Sequence, residues 1–161
     1  MTLPKILQRG ASAAMAGLGL STLALTTWFW AASPARAETI RFKADLTGAG
    51  EFPPSDSKGT GHCDATLEAD SNVLNWQCTY SGVSGPLIGA HFDGPVSYRG
   101  ATSDGQAPIQ VGTAGELTSP LKGTAKIDAN QAHDLRQGLW YFDLHTKKFP
   151  AGEIRGPVVK Q

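Results

Sequence analysis

Gly59-Thr60-Gly61-His62-Cys63-Asp64-Ala65-Thr66-Leu67-Glu68, followed by Ala69-Asp70-Ser71-Asn72 and then Val73-Leu74-Asn75-Trp76-Gln77-Cys78-Thr79-Tyr80, is the stretch that decides the fold. Residues 59–68 and 73–83 alternate as strands do, and the four residues between them are turn formers. A hairpin centred between Asp70 and Ser71 sets Leu67 opposite Leu74 and Cys63 opposite Cys78. Facing residues of an antiparallel pair have Cα atoms roughly 4.5–5.5 Å apart, within reach of a disulfide. Cys63 and Cys78 are the only cysteines. The register therefore predicts a cross-strand bridge, worth roughly 3 kcal/mol in the chain-entropy account. Nothing electropositive flanks either cysteine to lower a thiol pKa, which argues against a redox-active pair.

Side chains alternate along a strand, so Cys63, Ala65 and Leu67 share an apolar, inward face with Leu74, Trp76, Cys78 and Tyr80. His62, Asp64, Thr66, Glu68, Asn75, Gln77 and Thr79 take the solvent face. Upstream, residues 39–47 alternate in the same way, with Ile40, Phe42, Ala44 and Leu46 pointing inward. Downstream, 86–92 reads as a strand, and 96–100 and 107–112 as shorter ones. Residues 114–124 are weakly patterned, with room for a strand at either end. Leu139 to Thr146 is the best late strand; residues 153–159 are the last, with Pro157 marking an edge or an end. One helix is expected at 129–137, with Asp128 as N-cap, Gln131 completing a capping box and Gly138 as the stop. The 19 glycines and 10 prolines punctuate these short segments. The expected fold is all-β: an antiparallel β-sandwich or a flattened, Greek-key-like barrel with one short helix.

The N-terminus differs from the rest. Lys5 and Arg9 precede a run without charge from Gly10 to Pro34, which ends before Ala35-Arg36-Ala37. Basic end, apolar segment and small residues at −3 and −1 are the order of a secretory signal. Cleavage after Ala37 makes residues 38–161 one exported domain, periplasmic or secreted, with no membrane span left. An uncleaved anchor is the competing reading, since a span needs about 20 apolar residues. Ser21, Thr22, Thr26, Thr27 and several glycines dilute the run. Loss of Lys5, Arg9 and Arg36 leaves 11 basic against 14 acidic residues, a balance that gives no electrostatic reason to bind nucleic acid.

Catalytic signatures are missing. Gly82-Val83-Ser84-Gly85 is not a nucleophile elbow, and there is no phosphate loop or dinucleotide fingerprint. The chain is accordingly read as no enzyme.

Three phrases carry a family resemblance. They are Gly50-Glu51-Phe52-Pro53-Pro54; Gly89-Ala90-His91-Phe92-Asp93-Gly94-Pro95; and Tyr141-Phe142-Asp143-Leu144-His145-Thr146 running into Phe149-Pro150-Ala151-Gly152-Glu153-Ile154-Arg155-Gly156. In order and spacing they resemble the CHRD domain, named after its repeats in chordin and carried by bacteria as small exported proteins. The motif positions are Glu51, Pro53, Pro54, His91, Gly94, Pro95, His145, Thr146, Gly152, Glu153, Arg155 and Gly156. The family commonly has a second histidine two residues after the first; here that position is Asp93. The resemblance implies an extracytoplasmic β domain without an established activity. It suggests a binding or structural module that contacts a protein, glycan or other component of the cell envelope.

His91 and Asp93 are two apart on one strand, as are Asp143 and His145, so each pair shares a face. Trp140, Phe142 and Leu144 take the core side of the later strand, leaving Asp143 and His145 on a polar face or at the rim. Two histidines and two carboxylates brought together suit a divalent ion such as Zn²⁺ or Cu²⁺, no cofactor being otherwise indicated. In the structural alternative His91 binds the loop after Gly94-Pro95, and His145 and Thr146 hold the Lys147-Lys148 turn. Glu153 and Arg155 are read first as structural ion-pairing residues, with Asp143 or another strand as partner, and second as ligand-binding groups. His62 and His133 read as surface residues.

Overall fold

A computed structural model describes residues 38–97 and 106–161, all within the unit Ala35–Gln161. The expected signal segment, 1–37, lies outside the described residues, as does most of the expected strand at 96–100; Val96 and Ser97 are not in a strand. Among the described residues no helix is long and apolar enough to cross a membrane.

The fold is all-β. Strands β1 (Thr39–Thr47), β2 (Thr60–Glu68), β3 (Val73–Ser81), β4 (Leu87–Asp93), β5 (Ile109–Gly112), β6 (Leu121–Lys126), β7 (Tyr141–Thr146), β8 (Ile154–Pro157) and β9 (Val159–Lys160) are joined by one helix, α1 (Ala129–Arg136). They form a single sheet in the order β5-β4-β7-β8-β1-β2-β3-β6, with β9 added to β1. The sheet curls into a nearly closed barrel, so of the two architectures expected the barrel is the one adopted.

The hairpin has the expected register: Leu67 faces Leu74, and Cys63 faces Cys78 and is bonded to it. Both cysteines are buried, with Ile40, Phe42, Ala44 and Leu46 of β1 and Trp76 of β3 in the same core. Tyr80 is half-buried; its hydroxyl donates to the Leu117 carbonyl at 2.7 Å. The weak stretch 114–124 holds a strand only at its C-terminal end, and β6 runs on to Lys126. There Gly123 faces Trp76, and a Cβ at 123 would stand 2.6 Å from indole Cε2. The residue has to be glycine because the indole occupies that space.

Helix α1 starts as expected. Asp128 Oδ1 accepts the Asn130 and Gln131 amides at 2.8 and 2.9 Å, and Gln131 Oε1 accepts the Asp128 amide at 2.9 Å. Ala132 and Leu135 are buried against the sheet. The expected final strand, 153–159, divides in two. Val158 sends its amide to the Trp140 carbonyl at 2.8 Å, so β8 pairs with β7 and β1, while β9 pairs with β1 alone.

Candidate functional site

Strands β4, β7, β8 and β1 are neighbours, and this places the motif residues. Across them His91 faces Asp143, Asp143 faces Arg155, and Arg155 faces Thr47. One step along, Asp93 faces Tyr141; one step the other way, Gly89 faces His145. The His145 ring lies against Gly89, where a Cβ would stand 3.7 Å from it, and beside His91, the two ring centroids being 4.5 Å apart. Alternation puts Ala90, Phe92, Phe142 and Leu144 in the barrel core, and these polar side chains on the opposite face.

That opposite face is not a wet rim, as the alternation alone suggested. Every residue of β7 is buried. Asp93, Asp143 and Arg155 are 1–2% exposed, and His145 is 7% exposed. The cover includes residues 106–107 and Pro150. The Tyr141 hydroxyl accepts the Ala107 amide at 2.9 Å, and Gln106 Nε2 donates to the Ala151 carbonyl at 2.5 Å. Between this cover and the strands lies an open pocket of about 290 Å³, lined by His91, Asp93, Tyr141, Asp143 and His145 with Gln106, Ile88, Ile109 and Pro150 among its walls.

Hydrogen bonds fix the two imidazoles. His145 Nδ1 donates to the Pro150 carbonyl at 3.1 Å, and His91 Nδ1 donates to Asp93 Oδ2 at 2.7 Å. A ring carrying a single proton therefore keeps it on Nδ1 and presents a bare lone pair at Nε2. His145 Nε2 is buried with no hydrogen-bond partner among the described residues; Asp143 Oδ2 stands 3.5 Å from it. Burial, and then the neighbouring His91, hold the His145 pKa below its ordinary value.

Beneath the histidines is a second layer. Arg155 Nε donates to the Gly50 carbonyl at 2.8 Å, pairs with Glu51 Oε2 at 3.7 Å, and lays its guanidinium 4.5 Å from the centre of the Tyr141 ring. Burial pushes the Glu51 carboxyl up to about 7, despite its hydrogen bond with Asp143 and the charge of Arg155. Burial and the charge of Glu51 push Asp143 up to about 10. The buried pair thus holds a proton more tightly than either ordinary carboxyl would. Among the described residues Glu51 Oε1 and Asp143 Oδ1 have no hydrogen-bond partner. Gly152 belongs to this layer: it has φ +133°, and a Cβ there would lie 2.6 Å from Glu51 Oε2.

Glu153 and Arg155, two apart, serve different clusters. Glu153 is fully buried and takes Ser57, Ser84 and Thr146 as its partners, not Arg155. Thr146 also closes the turn that follows it, exchanging amide–carbonyl bonds with Phe149. Gly94 is buried against Trp140 and Leu139, and Gly156 against the β1 backbone at Asp45, while Pro53, Pro54 and Pro95 are exposed. Pro53 and Pro54 line a separate groove with Phe52 and Phe149. His62 is exposed, as expected.

The four residues proposed as metal ligands thus line one pocket. Even so, among the described residues no three His, Cys, Asp or Glu side chains are grouped so as to hold a metal ion. Sequence reasoning missed Tyr141 as a pocket residue, although its place two before Asp143 puts it on the same face. Gln106 carries no such signal, since it lies outside any strand, and Ile109 reaches the pocket through the pairing of β5 with β4, where it faces Asp93.

The family model for the CHRD domain matches residues 42–158, and so spans the pocket, the disulfide hairpin and the Glu153 cluster. No curated protein and no solved structure matches the chain. At the level this match supports, the domain is a non-enzymatic binding or structural module.

Proposed function

Because this chain belongs to the CHRD domain family, we propose that it is an exported binding module of the cell envelope whose ligand sits in the pocket between His91 and His145. One observation carries the reading: His145 Nε2, an acceptor in a residue only 7% exposed, faces a pocket and meets no hydrogen-bond partner among the described residues. Leaving a buried polar group unsatisfied costs roughly 1–3 kcal/mol, which a bound ligand recovers. Export is supported by the order of the N-terminal segment and by a disulfide, which persists in oxidising compartments.

The test is a thermal-shift screen of cations, anions, polyols and Zn²⁺ on protein expressed full-length in an exporting host. Saturable stabilisation that is lost in His145→Ala is expected. No probe stabilising the wild type more than the variant overturns the pocket as a binding site. Intact mass of the exported product checks the leader, and a mass that still includes residues 1–37 overturns its cleavage.

A second reading places a divalent ion, Zn²⁺ or Cu²⁺, in the same pocket. The fixed tautomers favour it: ligating histidines usually give their other ring N–H to a carboxylate or a backbone carbonyl, as His91 and His145 do. Elemental analysis of untagged protein decides. Near-stoichiometric metal that disappears in the His91→Ala, His145→Ala double variant supports it; none after incubation with either ion removes it.

A further inference from the structure

Resting on the pocket reading above, we propose that the pocket takes a primary ammonium group carried on an aliphatic stem. The argument begins with what the pocket offers. His91 and His145 each present a bare Nε2, Asp93 presents a carboxylate, and Gln106 commits its Nε2 to the Ala151 carbonyl and keeps Oε1. Acceptors predominate; the Tyr141 hydroxyl and the Asp143 carboxyl are the other polar groups of the lining. No lysine or arginine lines the pocket among the described residues. A carboxylate or phosphate would meet lone pairs there and a buried negative charge, whereas a cation with several N–H donors meets complementary groups.

The spread of the acceptors separates an ammonium from a metal. Zinc binds imidazole nitrogen at about 2.0–2.1 Å, so its ligands must crowd together. An ammonium nitrogen reaches its acceptors at about 2.7–3.2 Å, so groups standing further apart can share it. The described side chains include no group of three that could hold a metal. The rings of His91 and His145, with centroids 4.5 Å apart, and the Asp93 carboxylate beside them nevertheless converge on one space.

The walls give the rest of the ligand. Ile88 and Ile109 are 49% and 61% exposed, two of the few large apolar side chains left in water, and both stand at this pocket with Pro150. A bare ion would make no use of them. An alkyl stem would cover them while its charged end reached the histidines.

Chemical-shift titration with n-butylammonium of the protein recovered after export tests this. Saturable shifts at Gly89, His91, His145 and the Ile88 and Ile109 methyls are expected. Methylammonium should bind several-fold more weakly, and Ile109→Ser, a surface change, should weaken the butyl probe by roughly three- to tenfold. Nα-acetyl-lysine N-methylamide binding at least as tightly assigns the group to a protein lysine, and binding of butylammonium alone assigns it to a free amine. Butyrate, n-butanol or Zn²⁺ shifting those residues as strongly as butylammonium overturns the ammonium and leaves a binding pocket standing. Silence of every probe removes the pocket reading as well.

Discussion

The Thr146 hydroxyl donates a 2.5 Å hydrogen bond to the carboxylate of Glu153, closing the loop between β7 and β8. The same carboxylate accepts the Ser57 hydroxyl and both the amide and the hydroxyl of Ser84, each at 2.7 Å. Burial pushes the Glu153 pKa up, but these bonds outweigh it and hold the group below its ordinary 4.5. A carboxyl depressed in the folded state contributes stability that is complete above its unfolded pKa and lost as pH falls through the folded one. Glu153→Gln should lower stability at pH 7 by about 2–3 kcal/mol, because an amide nitrogen must then face donors. Its stability should also fall less steeply than that of the wild type below pH 4.5. Urea melts from pH 3 to 7 check both; parallel curves for the two proteins would remove the assignment.

Arg155 is buried among carboxyl groups and under Tyr141, so truncating it strands charge. Arg155→Leu should cost about 3–5 kcal/mol. Adding Glu51→Gln should return part of that loss, since the two touch at 3.7 Å. Strict additivity in a denaturation double-mutant cycle would argue against their coupling.

The Cys63–Cys78 bridge closes a loop with a sequence separation of 15. Cys63→Ser with Cys78→Ser should lose roughly 3 kcal/mol. The unreduced, denatured wild type should show no free thiol, and two thiols there would refute the bond.

His62 provides a contrast on the surface. Its Nδ1 lies 2.6 Å from Asp45 Oδ1, and that bond raises its pKa above 6.5. Any stability it contributes is present at low pH and fades as pH rises through the raised pKa. Both side chains are about half in water, so His62→Ala should cost under about 1 kcal/mol, less still in high salt. A loss comparable to that of Arg155→Leu would mean the pair is far better shielded than its exposure indicates.

What was legible in the sequence was local. Alternation and a four-residue turn were enough to pair Cys63 with Cys78, and Asp128 with Gln131 was enough to start α1. What was not legible depends on neighbours far apart in the chain. β6 has little apolar pattern because Gly123 yields its place to Trp76. Asp143 and His145 alternate as a solvent face would, yet they are buried because residues 106–107 and Pro150 lie over them. Glu153 and Arg155 are expected to ion-pair with Asp143 or another strand; Arg155 pairs with Glu51 of the loop after β1, and Glu153 takes hydroxyl partners instead.

The hairpin and the pocket differ in how much of the polypeptide each needs. The bridge joins cysteines on strands adjacent in the chain, whereas Arg155 reaches Gly50 across 105 residues, and His91 reaches its neighbours only once β7 is in place. A fragment cut short before β7 can thus be fully oxidised and still lack the pocket. For this protein, thiol oxidation reports that the hairpin has closed, and integrity of the C-terminal third reports whether the pocket exists.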